Sequence, residues 1–333
     1  MTMRSLRPIL RSALFLLLLT GSFAARAACT LPSSTATFGS VSSFTINTTV
    51  SNTTATVNVN CGSGSVLSLL TSDYVRFQLT GATYTSSTRG ALKTASTSTD
   101  LIPLRVCSDS ACATELLIGG TTVNYSQAQL LNLLGTGGGQ NFAIPLYLRT
   151  LTGQTVAAGT YTVTLNLLVS YNICTGVGLA GACLLGSQQT GSGTVPITTT
   201  LVVTNDCTTI TAPNVSFGSA PLVGSFTAVS QSINVICTKG STYTVGLSNG
   251  SNAVGAQRYM ISGSNRLAYE IYKNATISRW GPTGTERVSS SSSNSITTDG
   301  LTRTFNYTAR ILASQTTPPA GNYSDSVVVD LSF

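Results

Sequence analysis

The sequence has no histidine, only three lysines and one tryptophan, and few charges of either sign: 8% of its 333 residues are Asp, Glu, Lys or Arg. Each shortage removes a class of chemistry. Without histidine there is no Ser-His-Asp triad, and none of Lys93, Lys239 and Lys273 closes an S-x-x-K motif. No C-x-x-C pair is present, so metal binding is a poor second reading of the cysteines, and the chain is expected to hold neither metal nor cofactor. Four carboxylates lie between residues 28 and 204 (Asp73, Asp100, Asp109, Glu115), and they read as solvated surface ahead of a glycosidase pair. Residues 135–139, Gly-Thr-Gly-Gly-Gly, miss the G-x-G-x-x-G pattern because Gln140 stands at its last position, which leaves a flexible loop. Catalysis is not expected.

What is present begins with an export signal. Arg4, Arg7 and Arg11 precede an apolar run at residues 13–19, and Ala25-Arg26-Ala27 supplies an A-x-A site, so residues 1–27 read as a signal peptide cleaved before Ala28. Arg26, three residues ahead of Cys29, suits a lipobox badly. No later stretch approaches the roughly 18 uninterrupted apolar residues of a membrane span. Four of the 17 basic residues (Arg4, Arg7, Arg11, Arg26) leave with the signal, so 13 remain against 10 acidic ones, a net of +3. That is no nucleic-acid footprint, which needs clustered Lys and Arg with interleaved aromatics. Low charge with abundant Ser, Thr, Asn and Gly and alternating apolar positions reads as an exported all-β protein.

Eight cysteines in an exported chain point to disulfides. Cys29 and Cys61 bracket a stretch containing Phe38-Gly39; Cys207 and Cys237 bracket a similar one containing Phe217-Gly218, and both second cysteines end an alternating strand. The repeat therefore pairs Cys29 with Cys61 and Cys207 with Cys237, leaving Cys107–Cys112 and Cys174–Cys183 as local clips. Two β-sandwich domains are expected, residues 28–204 and 205–333. Residues 126–134 could hold a helical turn or two.

A second repeat sets the two domains apart. Residues 158–171 (AGTYTVTLNLLVSY) recur as residues 320–333 (AGNYSDSVVVDLSF). The period of two puts Tyr161, Val163, Leu165, Leu167, Val169 and Tyr171 on the inner face of the first copy, and Tyr323, Val327, Val329, Leu331 and Phe333 on that of the second. After the first copy, Val195, Ile197, Leu201 and Val203 alternate as a closing strand; the second has no counterpart. The second domain is therefore expected to expose an unpaired edge and an apolar groove.

The C-F-G…C opening, the Y-x-V-x-L strand, Leu267, Tyr269, Ile271 and Tyr272, Trp280-Gly281 and the A-G-x-Y ending together resemble the spore coat protein U domain, which builds archaic (Csu-type) chaperone–usher pili. The likeness is close over residues 207–333 and looser, at its two ends, in the first domain. It implies immunoglobulin-like folds in tandem, the C-terminal one lacking its final strand. A periplasmic chaperone would fill the gap, with the Phe333 carboxylate anchored to its basic residues. At an outer-membrane usher, a strand from an adjacent pilin subunit would then replace the chaperone. With only Ala28 ahead of Cys29, the mature chain is expected to accept a strand and donate none, which places it at the pilus tip on the cell surface.

Such tip adhesins present apolar loops to abiotic surfaces and support biofilm. Three stretches carry apolar residues where loops are expected: Leu116, Leu117 and Ile118; Leu130, Leu131, Leu133 and Leu134; and Val177, Leu179, Leu184 and Leu185. The first two could equally be core segments; the third, a glycine-rich disulfide loop, is harder to bury. Two rival readings stand. One is a lectin-like tip binding a host glycan through residues such as Asp73, Tyr74, Asp100, Asn124 and Tyr125; the other is a purely structural pilus or coat subunit.

Overall fold

The computed structural model describes residues 28–62, 70, 72–133, 140–175, 177–179, 182–184 and 186–333, with the backbone alone at 177–179. The signal-peptide assignment, Leu134 and Leu185 lie outside the described residues. The fold is all-β, with several sheets and, among the described residues, two short α-helices.

Period-two patterning builds the first half. One sheet runs in the order Ser34–Ser42, Gln188–Thr204, Gly159–Cys174, Tyr74–Ala82, Val123–Ser126; a second runs Asn52–Asn60, Asn141–Thr150, Ile102–Cys107, Arg89–Leu92, Thr85–Ser86. Their inner faces meet in one core, with Phe77, Leu165, Leu167 and Ile197 from one sheet and Val57, Phe142, Ile144 and Leu146 from the other fully buried. A second core, sharing no residue with the first, lies between the sheet Cys207–Thr211, Val229–Cys237, Thr302–Ile311, Asn265–Lys273, Arg258–Ser262 and a three-stranded one, Val288–Ser289, Thr244–Leu247, Val329–Ser332. Disulfides join Cys29 to Cys61, Cys107 to Cys112, Cys174 to Cys183 and Cys207 to Cys237.

The A-G-x-Y repeat has a structural cause. Tyr161 donates its hydroxyl to the Ala157 carbonyl at 2.8 Å, and Tyr323 donates to the Pro319 carbonyl at 2.7 Å, each four residues upstream. This is the tyrosine corner that fixes how a strand enters a Greek-key sandwich. Both halves use it at the same place.

Gln127–Leu131 forms the helical turn that the sequence suggests, its start capped by Gln129 Oε1 accepting from the Ser126 N–H at 2.9 Å. The Ser43–Thr48 helix escapes sequence reasoning, because Ser-Phe-Thr-Ile-Asn-Thr is rich in β-branched residues. It forms because Ser42 caps the Thr45 N–H and Ile46 is fully buried.

The second half buries charge as well as apolar area. The Arg258 guanidinium is fully buried and pairs with Glu270, while donating to the Trp280 carbonyl at 2.8 Å and the Leu247 carbonyl at 3.1 Å. Burial lowers the Arg258 pKa although the Glu270 charge opposes this. Alternation in residues 267–272 marks the strand but hides Glu270, which is buried as a partner for Arg258 although its neighbours Tyr269 and Ile271 take the core-facing positions. Where the two halves meet, Ser43 Oγ lies 2.7 Å from Thr238 Oγ1 and Lys239 Nζ lies 2.5 Å from Asp100 Oδ1.

Candidate functional site

The two copies of the A-G-x-Y segment sit in different surroundings. In the first half, Gln188–Thr204 lies between Ser34–Ser42, to which it runs parallel, and Gly159–Cys174, to which it runs antiparallel. Leu201 stands opposite Tyr161, Thr199 opposite Val163, Ile197 opposite Leu165 and Val195 opposite Leu167. All four of these closing-strand residues are fully buried. Farther along, Gly191 opposes Tyr171, whose hydroxyl would lie 2.6 Å from any added Cβ, so a large ring on one strand requires glycine on the other.

In the second half, the corresponding place is a cleft of about 420 Å³, continuous through Val215, Phe217, Met260 and Tyr323 with another of about 640 Å³. Residues 212–215 and Phe217 form one wall, residues 323–327 and Val329 the other, and Ile233, Leu247, Tyr269, Ile271 and Tyr307 the floor. Among the described residues, no strand lies between the walls. Ser324, Ser326 and Val328 use their backbone groups on Ile261, Ser251 and Ser248, whereas no described residue hydrogen-bonds the backbone of Asp325 or Val327. The structure thus places Tyr323, Val327, Val329 and Leu331 partly buried against the second core. Phe333 is exposed, its ring centre 6.1 Å from that of Tyr243 in an edge-on arrangement.

One residue of this wall is not apolar. Asp325 occupies the inward position between Tyr323 and Val327 and lines the cleft. Its Oδ2 accepts from Tyr269 Oη at 2.6 Å, and its Oδ1 accepts from the Asn252 N–H at 3.1 Å and from Asn252 Nδ2 at 2.9 Å. Burial first, and then the bond to Asp325, push the Tyr269 phenol well above its ordinary range. Aligning the two repeats would have flagged Asp325, because it falls where the first copy has Val163.

The apolar loop candidates divide. Leu116 and Leu130 are core residues and leave the set of surface-binding positions, with Ile118 and Leu133 packed against the same core. Leu117 is half-buried. Leu131 (40% exposed) and Leu184 (45% exposed) face solvent. Val177–Leu179 pairs antiparallel with Ala182–Leu184, so Val177, Leu179 and Leu184 belong to a hairpin clipped at its base by Cys174–Cys183.

That base is anchored by a carboxylate that sequence reasoning misplaced. Asp73 is buried, not solvated, and accepts from the Leu70 N–H at 2.9 Å, the Cys174 N–H at 3.1 Å and Gln188 Nε2 at 2.8 Å. Buried Gln140 donates from Nε2 to the Cys174 carbonyl at 2.7 Å, so Leu70, Asp73, Gln140, Cys174 and Gln188 are tied together. Of the glycan-binding candidates, Tyr125 is also buried and Asp100 is paired with Lys239. Tyr74 and Asn124 do come together, through Arg76, whose guanidinium stacks 3.8 Å from the Tyr74 ring centre and donates to Asn124 Oδ1 at 3.1 Å.

The Spore Coat Protein U domain matches residues 15–167 and 193–330. The chain belongs to that family. Spore coat U proteins of this kind are structural and non-enzymatic. Among solved structures, this family member is similar to the tip subunit CsuE of the archaic chaperone–usher Csu pili of Acinetobacter baumannii, crystallised with CsuC in a chaperone–tip subunit pre-assembly complex. The two share 24% identity with a TM-score of 0.54, over 92% of this chain and 100% of that one. Weaker likenesses are to the CupB6 tip adhesin of Pseudomonas aeruginosa (13% identity, TM-score 0.30, 87% and 89% covered) and to CfaE, the adhesive subunit of CFA/I fimbria of enterotoxigenic Escherichia coli (12%, 0.32, 82% and 84%). No curated protein sequence matches the chain significantly.

Proposed function

We propose that this spore coat U protein is the tip adhesin of a chaperone–usher pilus, exported through the periplasm to the cell surface. Residues 28–204 form the binding domain and residues 205–333 the pilin domain. The observation that carries the reading is the cleft: where the first sandwich holds Gln188–Thr204 between two strands, the second has an open trough, with an apolar floor, between 212–217 and 323–329. A strand laid there would gain main-chain hydrogen bonds along the wall and seat alternate side chains in the floor. Four apolar plugs at about 1.5–3 kcal/mol each give roughly 6–12 kcal/mol before ordering costs. A periplasmic chaperone supplies the strand first; at the outer-membrane usher, an adjacent pilin subunit replaces it. The solved complex of CsuE with CsuC supports a chaperone as the first partner.

Binding to an abiotic or host surface, and the biofilm that follows, falls to the disulfide-clipped hairpin carrying Val177, Leu179 and Leu184, with Leu131 beside it in the set. Leu134 and Leu185 remain in the proposal from the sequence alone. Exposed apolar side chains on a stiffened hairpin can adhere without a specific receptor.

Two experiments test the two parts, the first in the full mature chain. A copy of residues 188–204 joined after Phe333 by a Gly/Ser linker should raise the unfolding midpoint of the second sandwich and protect 323–332 from hydrogen exchange; no change in either overturns the acceptor reading. In piliated cells, Leu131→Ser with Leu184→Ser should lower attachment to polystyrene at least tenfold with pilus number unchanged. Full attachment would remove the loops from the mechanism.

A further inference from the structure

We propose that Asp325 selects which strand fills the cleft. The incoming strand carries a hydrogen-bond-donating side chain at the position that meets this carboxylate, with apolar side chains at the inward positions on either side. The inference rests on the reading of the cleft as a strand acceptor, and it specifies the chemistry of the partner.

The two copies of the repeat differ where it matters. The inward row of the first copy is Tyr161, Val163, Leu165 and Leu167, each 2% exposed or less. The same row in the second is Tyr323, Asp325, Val327 and Val329. In the first sandwich, Val163 is opposed by Thr199, the one hydroxyl among the inward residues Val195, Ile197, Thr199, Leu201 and Val203. Thr199 is fully buried, and its Oγ1 has no hydrogen-bond partner among the described residues. There the polar group is on the closing strand and the wall is apolar. In the second sandwich the polar group is on the wall.

An ionised carboxylate has about four acceptor sites. Tyr269 Oη, from the floor of the cleft, and the Asn252 N–H and Asn252 Nδ2, from the side of the wall away from it, occupy three of them. Gly250, at φ +88°, leaves the carboxylate room on that side, where a Cβ would not fit. The cleft face is left to solvent. A strand that fills the cleft strips that water away, and an apolar side chain opposite would leave the remaining acceptor site unpaired in a low-dielectric setting. A hydroxyl, amide or ammonium would pair with it; a carboxylate would repel it. The same rule fixes register, because a slip of two residues brings an apolar side chain onto Asp325.

The test titrates the mature chain with four peptides of sequence 194–204 carrying Thr, Lys, Val or Asp at the position of Thr199, read by Trp280 fluorescence and by the shift in unfolding midpoint. The Thr and Lys peptides should bind at least tenfold more tightly than Val, and Asp more weakly still. In Asp325→Val, which installs the residue of the first copy, Val should become the preferred peptide. Should that variant fail to fold, Asp325→Asn keeps an acceptor without the charge and should erase the preference for Lys over Val while Thr still binds. Equal binding of Thr and Val to the parent chain, or a ranking unmoved by either variant, overturns the proposal. A set in which no peptide binds overturns the acceptor reading itself, a different outcome from a flat ranking.

Discussion

The first sandwich holds Gln188–Thr204 between two strands, whereas the second has a cleft beside its copy of the wall, with no strand in it among the described residues. Both halves begin with a disulfide of similar span, Cys29–Cys61 and Cys207–Cys237, and both turn into a wall strand through a Tyr hydroxyl bonded four residues back. The first then receives Val195, Ile197, Thr199, Leu201 and Val203 into its core, and the inward wall residues Tyr161, Val163, Leu165 and Leu167 disappear from solvent. In the second, the matching wall residues are only partly buried, and the floor residues Ile233, Leu247 and Tyr307 line an accessible cleft. The same A-G-x-Y wall thus faces a neighbouring strand in one half and a cleft in the other. Under the proposed strand-acceptor reading, the first half serves as the template for the second.

The comparison is broken most forcefully by putting a charge at matched positions. Ile197→Asp would bury an unpaired carboxylate in a sealed core, a class of change that costs more than about 4 kcal/mol. The first sandwich of that variant should be unfolded or close to it in a denaturant series. Val327→Asp faces the open cleft, where water still reaches the wall, and should cost about 1 kcal/mol or less. Comparable losses from the two variants would mean that the second sandwich is as closed as the first.

The contrast was legible in the sequence as far as period-two alternation reaches. The closing strand, the inner faces of both wall copies and the cysteine pairs can be read because each is a local pattern or a repeat. Alternation does not say which polar residue points inward, and this is where reading by pattern fails. Asp73, Glu270 and Asp325 all sit on inward or buried positions, each held by donors distant in sequence: Cys174 and Gln188, Arg258, and Asn252 with Tyr269. Such partners meet only in three dimensions. For the same reason the sequence leaves Leu116 and Leu130, apolar residues beside turn signals, open to both a loop and a core reading, and the structure puts them in the core.

A smaller and sharper test uses the shared tyrosine corner. Tyr161→Phe removes a hydrogen bond in a sealed environment, leaves the Ala157 carbonyl without its donor, and should lower the stability of the first sandwich by about 1–2 kcal/mol. Tyr323→Phe removes the same bond at an exposed corner, where water can replace the phenol, and should cost only a few tenths of a kcal/mol. Once a strand occupies the cleft, that difference should shrink, because the second corner is then sealed too. Equal costs with the cleft empty would indicate that the corner is independent of the strand beside it.

The smallest effect is silent at neutral pH. Burial pushes the Tyr125 and Tyr161 phenols of the first sandwich up to about 12, with nearby Tyr147 and Asp109 adding to the shift at Tyr125 and Asp100 adding to it at Tyr161. A phenol whose folded pKa lies above its unfolded value of about 10 binds its proton more tightly when folded. The stability linked to it is therefore complete below pH 10 and is lost as the pH climbs through about 12. Neither tyrosine should contribute any slope between pH 6 and 9. Above pH 10 the first sandwich should weaken progressively, and Tyr125→Phe should flatten that decline, having no proton to lose. Tyr125 is the better choice for the variant because its hydroxyl has no hydrogen-bond partner among the described residues, so removing it takes away the titration and little else. An alkaline slope identical in parent and Tyr125→Phe would mean that water reaches this ring, and that the first sandwich is less tightly closed around it than its packing implies.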